Sequence, residues 1–442
     1  MKNNFSKVFT ATLLFGSAAF ASYTTPTDAY KAAIENSTKV TASKYQYESK
    51  EEGLNEIYAR LYPQLEGSVS YSRIDFERNE LVKTNDPEVT EKSTDLNLTL
   101  NQVIYDPVLF SQIDVEKTRV KLYEYDFEIS KQKLAAEALD IYMSVLNSKN
   151  KINLLKANLD YVSQNMKMIE EKYSMNLVTK MDFLKVNVEY QKSNIALVQE
   201  EKNYEVMFKK LQDVTKLETI EIPDINLKSL TNEFINSVLN VVNEYAVIDK
   251  NLNILQSRES VLMTKYDVST AKAEHLPNLG FNVSYTEYIS DDTTSDYENY
   301  ARAMLKLRIP IFEGGAISSK VKSKQLLKKS AEEELKTVED DTTVNLNETV
   351  NKLKNEIETL KMYKEALISG QTYLESIQLA YEKGLRSIVE LYDAKNKLFE
   401  IRYDYIKSVH EMSNLYVQFL ILTNNLGSLD LIDNLVQKEE NR

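Results

Sequence analysis

The sequence predicts a mainly α-helical protein with a small β part, built as an internal two-fold repeat. Three observations predict it. Residues 62–71, with the start Pro63-Gln64-Leu65, return as residues 276–285, with Pro277-Asn278-Leu279. Each copy is followed by a second alternating segment and a very long helical pattern. Each long pattern breaks at a similar point, at Tyr173-Ser174-Met175-Asn176-Leu177 and at Tyr381-Glu382-Lys383-Gly384-Leu385. The copies stay in step, Tyr62 standing 214 residues before Leu276 and Tyr173 standing 208 before Tyr381. A unit of strand, strand, helix and helix that occurs twice points to a duplicated architecture.

The first 21 residues read as a signal peptide. Lys2 and Lys7 supply charge, residues 8–20 form an apolar run too short to span a bilayer, and Ala19-Phe20-Ala21 fits a cleavage site. The mature chain is then expected to begin at Ser22, the alternative being a buried first helix. The chain has no Cys, which rules out disulfides, thiolate metal sites and lipid attachment to a thiol. The formal charge of −13 becomes −15 without Lys2 and Lys7, which argues against nucleic acid as a partner. No later segment has the ~18 consecutive apolar residues of a transmembrane helix, so any membrane role must use strands.

Residues 22–216 make the first repeat. Residues 27–60 are helical in pattern, with no Pro and one Gly. A first strand is expected near 63–77, with Leu65, Gly67, Val69 and Tyr71 on one side and Glu66, Ser68, Ser70 and Ser72 on the other. A charged loop over residues 74–94 carries Pro87, and a second strand near 92–105 opposes Leu96, Leu98 and Leu100 to Asn97, Thr99 and Asn101. The long helix follows. Its apolar positions Leu134, Ala138, Ile141, Val145, Ser148, Ile152, Leu155, Leu159, Val162, Met166, Ile169 and Tyr173 alternate steps of four and three. Heptads held this long mean coiled-coil packing. The turn near 174–178 leads to a shorter helix. Residues 107–174 would run roughly 100 Å and residues 178–216 roughly 60 Å at 1.5 Å per residue. Residues 37–60 match the shortfall, so one long helix is expected beside two shorter ones stacked end to end.

Residues 217–245, with Pro223, make a linker and an extra helix. Residues 246–424 repeat the plan, with strands near 277–290 and 299–312 and a turn near 382–387. Leu279, Phe281, Val283 and Tyr285 oppose Gly280, Asn282 and Ser284, and Ala303, Leu305, Leu307, Ile309 and Ile311 oppose Met304, Lys306 and Arg308. The last helix carries heptad positions Leu391, Ala394, Leu398, Ile401, Tyr405, Ser408, Met412, Leu415, Phe419 and Leu422. Residues 425–442 read as a polar, mobile tail. Strands of ~10 residues with one apolar and one polar face fit a transmembrane barrel, lipid outside and water inside. A soluble sandwich shows the same alternation.

Catalytic chemistry finds no support, and no cofactor or metal site is expected. His275 and His410 are isolated, and Gly314-Gly315 lacks the Lys-Ser/Thr of a phosphate loop. Residues 291–296 are acidic enough to hold a cation, yet a solvated loop explains them as well. With 28 Tyr and no Trp, interfacial tyrosines are expected, and Tyr71, Tyr285, Tyr288 and Tyr300 are the candidates.

The paired Pro-x-Leu strand starts, Pro310-Ile311-Phe312-Glu313-Gly314-Gly315, and Tyr381-Glu382-Lys383-Gly384-Leu385-Arg386-Ser387-Ile388-Val389-Glu390-Leu391-Tyr392-Asp393-Ala394 together resemble the TolC family of outer-membrane efflux proteins. The resemblance runs over nearly the whole mature chain. It implies a homotrimer, a twelve-stranded outer-membrane β-barrel with four strands per chain, and a long antiparallel coiled-coil α-barrel in the periplasm. Residues 227–245 become its equatorial helix. It further implies a passive exit duct, contacting outer-membrane lipid, a periplasmic adaptor and an inner-membrane pump of RND, ABC or MFS type, in efflux or type I secretion. Glu390 and Asp393 share one helix face, and in a trimer they would form acidic rings that attract cations and narrow the pore. Ordinary exposed acids would look the same. By resemblance these acids are the periplasmic constriction, with Glu in place of Asp at 390. Arg386, Asp182 and Tyr381 match the closing network, with Met181 where the family has Thr. Asn176, Leu177, Gly384 and Leu385 match the adaptor-contacting tip, Asn176 standing for the usual Gly. The competing reading is a secreted periplasmic coiled-coil scaffold with small soluble sheets.

Overall fold

The computed structural model describes residues 24–75, 90–224, 230–289 and 298–436. The leader, most of both long strand-to-strand loops and the acidic run 291–296 lie outside the described residues. The chain opens with helices α1 (Pro26–Asn36) and α2 (Thr38–Ala59), then strands β1 (Gln64–Asp75) and β2 (Thr90–Tyr105). Helix α3 (Pro107–Ser174) and helix α4 (Lys180–Thr215) complete the first repeat. After α5 (Asn232–Tyr245), the order recurs as α6 (Leu252–Ala273), β3 (Asn278–Ile289), β4 (Tyr300–Arg308), α7 (Ala316–Glu382) and α8 (Ile388–Leu422).

Helix lengths follow the expected arithmetic. α3 has 68 residues and packs along α4 with 36 and α2 with 22. α7 has 67 and packs along α8 with 35 and α6 with 22. The joints between stacked helices are built alike. Asn36 Nδ2 donates to Thr215 O at 3.0 Å, and Asn251 Nδ2 donates to Leu422 O at 2.9 Å. In each joint a side-chain amide from one helix satisfies an orphan carbonyl at the end of the other. The first joint explains why residues 27–60 are two helices and not one. Ser37 ends α1 and caps α2, its Oγ accepting from Val40 N at 3.3 Å, and the break frees Asn36 to reach across.

Coiled-coil positions are buried as their spacing predicts: Ala138, Val145, Ile152, Leu155, Val162 and Ile169 on α3, and Leu398, Tyr405, Met412, Leu415 and Phe419 on α8. The largest core cluster draws on α1, α3, α5, α7 and α8. It also includes residues 426–436 of the segment expected to be a mobile tail, and residues 437–442 lie outside the described residues. A 3₁₀ turn, Leu426–Leu429, leads into helix α9 (Asp430–Val436). Leu429, Ile432, Leu435 and Val436 are buried, and Asp433 Oδ1 accepts from Thr27 N at 3.1 Å. Four apolar side chains on one face make this stretch part of the core despite its polar average.

The strands form one antiparallel sheet in the order β1-β2-β3-β4. Register puts Ser68 opposite Asn97, Asn97 opposite Thr286, and Ser284 opposite Arg302, so the polar positions share one face. Ser70 Oγ donates to Asp95 at 2.6 Å and Asn282 Nδ2 donates to Asn101 at 2.8 Å across that face. Val69, Leu96, Leu98, Val283 and Ala303 share the other. Tyr71 and Tyr285 belong to the apolar face. Tyr288 pairs with Asp95 and Tyr300 with Thr286, which puts both on the polar face and corrects their assignment to a lipid girdle. The pleat alternates by two, so residue parity decides the side. Every residue of β4 is exposed, and β1 and β4 are edges.

Candidate functional site

The two long hairpins end in turns of the same construction, 208 residues apart. Asn176 has φ 55° and Gly384 has φ 71°. Leu177 N donates to Lys172 O at 2.8 Å and Asn176 N to Tyr173 O at 3.0 Å; Leu385 N donates to Ala380 O and Gly384 N to Tyr381 O, both at 2.9 Å. These are paired Schellman closures, which need a left-handed residue one place past the helix. Gly adopts it freely, and Asn is among the few others that do. The turns present apolar side chains outward. Met175, Leu177, Met181 and Leu385 are between 66% and 78% exposed.

Each returning helix begins with a capping box. Thr179 and Asp182 start α4, and Ser387 and Glu390 start α8. Asp182 Oδ2 accepts from Thr179 Oγ1 at 2.6 Å and from Thr179 N at 3.2 Å. Glu390 Oε2 accepts from Ser387 N at 2.9 Å, and Glu390 Oε1 accepts from Arg386 Nη1 at 2.6 Å. The cap hydrogen bonds hold both carboxyls below their ordinary range: the Thr179 hydroxyl leads for Asp182, and the Ser387 amide, then Arg386, for Glu390. The two acids are thus repeat equivalents, each satisfying the start of its helix.

The structure sets one residue of the expected network, Asp182, beside one acid of the expected ring, Asp393. Asp182 and Asp393 line one cleft of about 40 Å³ between α4 and α8, with Lys185, Glu189, Tyr392 and Asn396. Tyr381 packs half-buried against Ile377, Leu391 and Ala394. Arg386 is placed differently from the family expectation. Its partner is Glu390, one turn along the same helix start, and Asp182 is engaged by Thr179. Arg386 at i and Glu390 at i+4 meet naturally at a helix entrance, which explains the local pairing.

Sequence reasoning missed three neighbours of this site. Tyr161 and Tyr392 contact each other across α3 and α8, ring centroids 5.9 Å apart, and Lys395 Nζ lies 2.8 Å from the Tyr161 ring centroid. Lys395 follows Asp393 by two residues, so only the approach of α3 marks it out.

Residues 29–215 and 245–413 match the outer membrane efflux protein family, and the chain belongs to that family. It is similar to outer membrane protein TolC of Salmonella enteritidis, 23% identical over 371 residues, covering 80% of this chain and 74% of that protein. It is also similar to the proteases secretion protein PrtF of Dickeya chrysanthemi, 19% identical over 395 residues, covering 86% and 85%. Among solved structures, CusC superposes with TM-score 0.77 at 12% identity, covering 91% of this chain and 92% of that one. The outer membrane protein VceC of Vibrio cholerae superposes with TM-score 0.76 at 11% identity, covering 90% and 95%. The fold is that of the TolC-like channels. Membership places the chain in the outer membrane as an efflux duct, which sets aside the periplasmic scaffold.

Proposed function

We propose that three copies of this chain close into one passive duct, gated at its hairpin tips. The observation that carries this reading is the four-stranded sheet with two open edges, one polar face and one apolar face. Backbone groups on an open edge cannot stay unpaired in lipid, so spanning sheets close. Four strands per chain make twelve in a trimer, within the known range of such barrels. Charge supports β1 meeting β4 of the next copy. On the polar face β1 carries Glu66, and β4 carries Arg302, Lys306 and Arg308.

In that assembly Tyr71 and Tyr285 face lipid, while the polar face lines water. Glu390 and Asp393 ring the periplasmic end and attract cations. Arg386, Asp182 and Tyr381 stand at the closed tip, where Arg386 acts through Glu390 at the entrance of α8 and Asp182 caps α4. The exposed apolar tips at Leu177 and Leu385, turned by Asn176 and Gly384, meet a periplasmic adaptor. An inner-membrane pump of RND, ABC or MFS type supplies the energy, because the duct performs no reaction. The kinship with PrtF extends the cargo class to secreted proteins, as in type I secretion.

The absence of native Cys makes the seam directly testable. A Glu66→Cys, Arg302→Cys variant treated in outer membranes with a flexible bis-maleimide should give a ladder ending at three chains. A product that never exceeds one chain would contradict a β1–β4 seam.

A further inference from the structure

Above the tip, α3 faces α7 and α8 across a cavity of about 230 Å³. Its polar lining is Asn158, Tyr161, Gln371, Lys395 and Arg402, and the remainder is apolar. Two cations line it and no acid does. Lys395 and Arg402 stand seven residues apart, two turns along one face of α8.

The neutral partners are already engaged. Asn158 Nδ2 donates to Ser193 Oγ at 3.2 Å. Gln371 accepts from Arg402 Nη2 at 3.1 Å and donates to Glu375 at 2.9 Å. Arg402 is exposed, so its remaining guanidinium donors face water and are free to turn to a ligand. Lys395 has only the Tyr161 ring, with no carboxylate paired to it among the described residues. A half-buried charge without a counter-charge is costly. Burial pushes its amine down to about 8, which shows the missing compensation in another way.

We propose that this inter-hairpin cavity is a binding site for a small oxyanion, held between Lys395 and Arg402. The anion supplies the counter-charge that the cavity lining lacks. Its place is the face of α8 that meets α3, just above Asp393. The site stands on the hairpin geometry alone and needs no statement about how the tip opens.

Isothermal titration of the full-length protein in detergent, at pH 7.5 and constant chloride, tests it with two probes. Inorganic phosphate is compact and citrate is extended, and the tighter of the two identifies the class. One anion per chain should bind. Lys395→Met should weaken binding of both probes at least tenfold, while Lys395→Arg keeps binding. Arg402→Met provides a second loss-of-binding variant if Lys395→Met fails to assemble. Absence of binding to the wild type by either probe, or undiminished binding by the Lys395→Met protein, would overturn the site. Neither readout depends on conductance, so failure here and failure of the gated duct are separate results.

Discussion

At the scale of single residues, the tips turn on two left-handed positions filled differently. Gly384 meets no strain at φ 71°, and Asn176 at φ 55° tolerates a conformation that most side chains resist. Gly384→Ala should cost about 1–2 kcal/mol through that backbone alone, since nothing stands within 4 Å of the added Cβ. Guanidinium denaturation checks this, with Asn176→Gly as the control that leaves stability nearly unchanged. His410 makes a second case. Burial holds its imidazole below the ordinary value of 6.5, against opposing pulls from Asp140 and Glu411. The unfolded chain therefore takes up a proton first as pH falls. Stability is full above 6.5 and declines below it, down through the folded value. Comparing unfolding midpoints at pH 7.5 and 5.5 should show a loss in wild type and a smaller one in His410→Gln. The sequence marked the tip residues because left-handed turns and capping boxes are local chemistry. It could not mark Lys395 or Tyr161, whose meaning comes from a contact between helices far apart in the chain.

At the scale of elements, the two repeats solve one packing problem with exchanged residues. In the first hairpin Ser148 on α3 donates to Glu200 on α4 at 2.6 Å. In the second, Ser408 on α8 donates to Glu356 on α7 at 2.5 Å. Ser148 and Glu356 are equivalent, as are Glu200 and Ser408, each 208 residues apart. A buried polar pair at one height fixes the register of two antiparallel helices, as a polar core residue does in coiled coils. Glu200 also holds Lys151 at 2.8 Å, so removing either member of the pair strands a polar group. Ser148→Glu and Glu200→Ser should each destabilise by about 1–3 kcal/mol. The double exchange should recover a coupling of more than about 1 kcal/mol in a double-mutant cycle. Simple additivity would remove the register role. Helix lengths, the placement of β1, β2 and β3 and the stacking of short helices were legible here, because heptads and alternation are strong periodic signals; β4 ends at Arg308, short of the expected 312, where Pro310 has no N–H for the ladder. The break at Ser37 and the docking of α9 were not. Each depends on a distant partner, Thr215 for the first and Thr27 for the second.

At the scale of the whole molecule, the repeated unit explains why one chain is incomplete. Its sheet has two open edges, and its helices present exposed apolar side chains such as Val188, Ile195, Val344 and Met362. Those features are at odds with a monomer and suit a closed ring of copies. The class of protein was legible from the repeat and the tip motifs together. The partner of Arg386 was not, because a helix entrance offers it Glu390 within one turn and only three dimensions decide between that acid and Asp182. In the proposed duct the tip acids and Arg386 govern a passive pore. Planar-bilayer conductance of the purified protein, with and without divalent cations on the tip side, tests this most directly. Small cation-selective channels blocked by divalents are expected. Block should be relieved when Glu390→Ala and Asp393→Ala are combined, and conductance should rise in Arg386→Ser. Channels whose divalent block and conductance are unchanged by these substitutions would contradict it.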